Sequence, residues 1–146
     1  MWTVLKFEKK SLGLLKDDLR KKLGNNFKIY IPKIRVQKYK NNKLINKEFN
    51  LLGDYLFCFH EDLNSKREIN SLRFLRGLKY FLDGLIESQD DIESFVQKCK
   101  DSECKEGFLS RDFFEIKVNK KYKFSSGPFT EKIFQIISIL IRLKII

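Results

Sequence analysis

One histidine and three cysteines are the most reactive side chains in this sequence. His60 could act as a general base or a metal ligand, and Cys58, Cys99 and Cys104 as nucleophiles or thiolate ligands. Their spacing supports neither use. Cys99 and Cys104 are too far apart for a CxxC pair, and a single histidine cannot complete a zinc site with them. His60 closes an apolar stretch with no carboxylate or thiol at a recognised interval. There is no glycine-rich phosphate loop, no paired acid and base, and no nucleophile beside a base. The chain is therefore expected to be no enzyme, to use no cofactor and no metal, and to bury Cys58 as a free thiol.

Charge is the next signal. The 146 residues carry 30 Lys and Arg against 19 Asp and Glu, a formal charge of +11. Such an excess favours a polyanionic partner. Composition weakens that inference, because the chain has no alanine and is crowded with Lys, Asn, Ile and Phe. AT-rich codon usage produces the same bias. Lys also outnumbers Arg, the better reader of phosphates and bases. Aromatic residues make up 14% of the chain and the apolar share is 42%, enough for a core. No apolar run in the first 130 residues is long enough to span a bilayer, and the start lacks the order of a signal peptide. The expectation is a cytosolic protein without membrane contact.

The elements that must position these residues follow from periodicity. "WTVLKF" is β-prone. In "SLGLLKDDLRKKLG" Leu12, Leu15, Leu19 and Leu23 form one stripe of a helix, with Ser11 as N-cap and Gly24 as C-terminal stop. "FKIYIPKIRVQKYKNNKLINKEF" divides at Asn41-Asn42 into a lysine-rich hairpin, and Pro32 marks an edge or bulge. In "YLFCFH" Tyr55, Phe57 and Phe59 point one way and Leu56, Cys58 and His60 the other, so both faces need cover. A second helix over "NSKREINSLRFLRG" has Asn64 or Ser65 as cap and Gly77 as stop. "LKYFLDG" is a strand, and "SQDDIESFVQKC" a third helix capped by Ser88. The order β-α-β-β-α-β-α predicts an α+β sandwich. Lys100 to Gly107 reads as a polar linker; beyond it "FFEIKVNKKYKFSSGPF" reads as strand, turn, strand and a Ser-Gly-Pro turn, and "IFQIISILIRLKII" runs apolar to the last residue.

The ordered series Trp-initiated strand, amphipathic helix, basic hairpin, "LLGDYLFCF", "LRGLKYFLDG" and "SQDDIESF" resembles the N-terminal domain of NusG-type transcription factors. "YKFSSGPF" (Tyr122 to Phe129) is similar to the opening of a KOW domain, which follows in that family. Two departures stand out: Leu52-Gly53-Asp54 occupies the family's Phe-Pro-Gly, and Phe134 a usual KOW glycine. The resemblance implies a mainly antiparallel four-stranded sheet flanked by helices over residues 1–99. A linker at 100–112 and a truncated or degenerate KOW-like segment at 113–146 would follow.

By the same resemblance the chain is expected to bind the clamp helices of RNA polymerase through Val4, Leu52, Tyr55 and Phe57, left open on one sheet face. Glu68 and Asn70 would meet the opposite pincer. Arg76 first, then Arg73, Lys79, Lys16 and Arg20, would contact the non-template DNA strand. The implied activity is to bridge the cleft, suppress pausing and promote processivity or antitermination, as a general factor or an operon-specific paralogue. Ribosome or termination-helicase contacts are not expected from so short a second segment. The apolar C-terminal tail is expected either to cover the same depression or to mediate self-association. The competing expectation from another class is an RNA- or ribosome-binding module using the KOW-like segment and the basic hairpin Lys33 to Lys47.

Overall fold

A computed structural model describes residues 1–110 of the chain. The KOW-like segment and the apolar tail lie outside the described residues. Six strands and three helices follow in the order β1 (Trp2–Phe7), α1 (Leu12–Leu23), β2 (Lys28–Tyr30), β3 (Lys33–Lys40), β4 (Lys43–Asn50), β5 (Tyr55–Phe59), α2 (Lys66–Ser71), β6 (Leu78–Phe81) and α3 (Gln89–Asp101). The protein is α+β.

Four strands form one antiparallel sheet in the order β2-β5-β1-β6, while β3 and β4 pair only with each other. Pro32 explains the split of the first ribbon strand. It has no N–H to donate, and the chain leaves the main sheet there, ending β2 as an edge. β6 reaches only Leu5, Lys6 and Phe7 of β1. At the other end of β1 the side chain of Gln89 takes over. Its Oε1 accepts from Trp2 N–H at 2.8 Å and its Nε2 donates to Trp2 C=O at 2.7 Å. A side-chain amide thus continues the ladder and ties α3 to the sheet.

The two-sided apolar character of β5 has a structural answer. Val4 and Phe57 face a core that also contains Ile92, Val96 and Cys99 of α3. Leu5, Phe7, Leu56 and Cys58 face a second core with Leu15 and Leu19 of α1 and Leu72 and Leu75 after α2. Each fully buried side chain of this kind contributes roughly 1.5–3 kcal/mol. Both faces of the sheet are therefore covered by the chain's own helices.

Local signals behave unevenly. Leu15 and Leu19 are buried as the α1 stripe requires, and Gly24, at φ +76°, donates its N–H to Arg20 C=O at 2.9 Å. Ser11 does not cap α1 through its side chain. A single 3-10 turn, Lys9–Ser11, leads into the helix, and the Ser11 hydroxyl turns toward Glu8 instead. Ser65 does cap α2, accepting from Glu68 N–H at 3.3 Å, and its hydroxyl also meets the Glu68 carboxylate. The sequence has the Ser-x-x-Glu spacing of a capping box, but the Glu68 carboxylate meets the Ser65 hydroxyl rather than its backbone N–H. α2 ends at Ser71, well before Gly77, so Arg73 and Arg76 sit in turns rather than on a helix. Ser88 makes no side-chain cap to α3.

The polar stretch that ends at Gly107 and the Phe108-Leu109 pair after it are tied down. Leu109 is buried in the α3-side core, and its N–H donates to Lys33 C=O at 2.8 Å. The Tyr30 hydroxyl bonds the Glu103 carboxylate, and Arg35 pairs with Glu106. The stretch expected as a free linker thus buttresses the hairpin base as far as residue 110. Among the described residues no helix is long and apolar enough to cross a membrane.

Candidate functional site

Register brings one row of side chains together across three strands. Lys6 of β1 lies opposite Tyr55 of β5 on one side and Tyr80 of β6 on the other. The two tyrosine hydroxyls are 2.8 Å apart, and the rings meet edge to face with centroids 6.4 Å apart. The Lys6 ammonium stands 5.3 Å from the Tyr55 ring and 5.8 Å from the Tyr80 ring. Such cation–π contacts are worth about 0.5–1 kcal/mol where exposed. Tyr80 is 43% exposed and Tyr55 is half-buried. Burial first, and then the bond to Tyr80, push the Tyr55 hydroxyl up to about 12. It is a neutral hydrogen-bonding group at any physiological pH.

The other three residues assigned to the same docking face are buried. Phe57 and Val4 are fully buried, and Leu52 is 1% exposed. The Phe57 ring packs between Phe95 of α3, with centroids 5.7 Å apart, and Tyr30, at 6.3 Å. The expectation that Val4, Leu52 and Phe57 stand open for a partner is corrected by this packing. The face they line is the seat of α3, and Tyr55 alone of the four reaches the surface.

A cleft of about 330 Å³ opens beside the free edge of β6. Ile69, Asn70 and Arg73 line one wall, and Lys79 to Leu82 another. Three sequence candidates, Asn70, Arg73 and Lys79, therefore converge, and Tyr80 connects the cleft to the tyrosine row. Glu68 lies outside it, engaged in capping α2.

Arg76 has a partner of its own. Its Nε and Nη2 reach the Asp18 carboxylate at 3.0 and 2.6 Å, and its backbone N–H donates to the same group at 3.1 Å. These bonds hold the Asp18 carboxyl down to about 2. The guanidinium stays 57% exposed, yet its first role is to staple the turn before β6 onto α1. Lys16 and Arg20 are exposed on α1, and Arg20 lies 3.5 Å from Asp17.

Three residues were not singled out by the sequence. Lys6 and Tyr80 gain significance only through strand pairing. Phe74, between Arg73 and the buried Leu75, is 96% exposed. Its signal was present: Leu72 and Leu75 share the buried side of the turn, which leaves Phe74 facing out.

Two of the three thiols and the imidazole are buried. Burial pushes the Cys58 thiol up to about 12. Cys99 is buried and Cys104 exposed. Buried His60 accepts the Asp62 N–H on Nδ1 at 3.1 Å. Comparison of the chain with protein-family models and with curated proteins yields no match.

Proposed function

We propose that this protein is a non-enzymatic accessory factor of RNA polymerase, of the NusG N-terminal type. It binds the clamp helices and bridges the main cleft. The observation that carries the reading is the Lys6–Tyr55–Tyr80 row, an aromatic surface left open beside a cleft lined by Lys66, Arg73 and Lys79 together with Asp83 and Glu87, on a sheet otherwise covered on both faces. Tyrosines of this kind are preferred interface anchors, because they join a large apolar ring to a hydrogen-bonding tip. The order of strands, helices and hairpin along the chain also agrees with the resemblance read from its sequence.

In this reading the tip of the clamp helices packs on Tyr55 and Tyr80. Asn70 faces the opposite pincer, with Glu68 holding its helix in shape. Arg73 and Lys79, with Lys16 and Arg20, attract the phosphates of the displaced DNA strand. A factor that binds the closed clamp better than the open one shifts that equilibrium by its differential affinity. Pausing falls and processivity rises. The protein works in the cytoplasm, where its polymerase is.

The test is capture of RNA polymerase by the wild-type chain and by Tyr55→Ala and Tyr80→Ala variants with unchanged circular dichroism. Both variants should lose most of the captured polymerase. Equal capture by all three proteins refutes the docking surface.

A further inference from the structure

The β3–β4 hairpin takes no part in the docking surface just described, and its construction points to a second ligand. Its eight-residue strands pair only with each other, so the arm extends roughly 27 Å at about 3.4 Å per residue. Its base is held firmly. Ile34 is 3% exposed in the core, Arg35 pairs with both Glu48 and Glu106, and Leu51 N–H donates to Pro32 C=O at 2.7 Å. Beyond the base it touches solvent on both faces, because residues 37–48 are all exposed.

Charge is concentrated there. Residues 33–50 contain six cations and one acid, Glu48, which is bonded to Arg35. Strand register sorts the tip into two unlike faces. Lys38, Lys40, Lys43 and Lys47 share one face, two on each strand, with Lys40 directly opposite Lys43. Like charges placed opposite each other destabilise a hairpin, and none of these four lysines has an ion pair with another described residue. The other face carries Gln37, Tyr39, Leu44 and Asn46. An arm anchored at its base, with lysines on both strands and no ion pairs to them from the described residues, is built to meet a polyanion on two sides.

We infer that this hairpin is a double-stranded DNA-binding arm, entering the major groove and neutralising phosphates on both walls through Lys38, Lys40, Lys43 and Lys47. A two-stranded ribbon fits the major groove of B-form DNA, about 12 Å wide. The deep, narrow major groove of an RNA duplex shuts it out. A single strand is disfavoured too, since stacking would need an open aromatic face beside the lysines: Phe49, the aromatic on their face, packs against the core with the Lys47 ammonium 5.7 Å from its ring, and Tyr39 lies on the opposite face. Lysines act as point charges rather than as bidentate base readers, so binding is indifferent to sequence.

The test is fluorescence anisotropy of the full chain with short labelled DNA duplexes of two unrelated sequences. Salt is varied between about 50 and 200 mM, and an RNA duplex and single-stranded DNA are run in parallel. Replacing the four tip lysines by Gln should weaken duplex DNA binding at least tenfold at low salt. It should also make the log–log salt slope shallower by about 3 to 4. A charge-matched control with Lys9, Lys10, Lys21 and Lys22 changed to Gln should keep most of the affinity. An equal loss in the control overturns the inference, since bulk charge then explains binding. So does hairpin-dependent binding that favours RNA duplex or single strands. No polymerase is present, so the outcome is separate from that of the capture assay.

Discussion

At the residue scale, Phe57 and Tyr55 show how two aromatics two positions apart acquire opposite duties. Both point to the same side of β5, yet α3 covers one and stops short of the other. Phe57→Ala opens a cavity in a fully buried site and should cost about 3–5 kcal/mol, read as a lower denaturant midpoint. Tyr55→Ala should cost less than Phe57→Ala, because the half-buried ring lies at the rim of that core and keeps its hydroxyl at the surface. A second contrast concerns the Arg76–Asp18 pair. Because the folded-state pKa of Asp18 is depressed from 3.8 to about 2, its stabilising effect is complete above 3.8 and disappears as pH falls through about 2. An NMR titration of the Asp18 carboxyl should find its midpoint near 2, and in Arg76→Ala the midpoint should return toward 3.8.

At the element scale, close approach of the chain to itself decides what turns accept. Gly77 sits at φ +78°, and a Cβ there would lie 2.6 Å from the Ser11 carbonyl oxygen. Glu8 N–H also donates to the Gly77 carbonyl at 2.8 Å, so the turn before β6 cannot move aside freely. Gly77→Ala combines the left-handed penalty of about 1–2 kcal/mol with that clash. It should lower the melting temperature clearly, whereas Gly107→Ala, at φ +80° with open space around it, should lower it less. Asn41 and Asn42, at φ +52° and +58°, make the two-residue turn of the β3–β4 hairpin. Both conformations suit asparagine and penalise β-branched residues.

At the scale of the whole molecule, the sheet separates two cores and leaves a single thiol in reach of solvent. Cys58 and Cys99 are buried on opposite faces, while Cys104 is exposed in the segment that braces the hairpin. A colourless aromatic disulfide reagent should therefore modify one cysteine quickly in the native protein and all three in denaturant. Fast reaction of Cys58 or Cys99 in the native state would show that α1 or α3 lifts readily from the sheet.

The sequence by itself determined the local elements. The leucine stripe of α1, the Asn-Asn turn, a cap for α2 at Asn64 or Ser65 and the apolar runs of β1 and β5 each depend on neighbours within a few residues. It also marked Cys58 as buried and the hairpin as basic. Only the tertiary structure decided which apolar side chains stay at the surface. Val4, Leu52 and Phe57 look no different in sequence from Tyr55, and α3, about 30 residues further on, makes the distinction. The pairing of Arg76 with Asp18, and of Lys6 with two tyrosines, likewise joins residues 58 and up to 74 positions apart. Periodicity reports that a face is apolar. What covers that face depends on where distant segments come to rest, and that is a property of the packed chain.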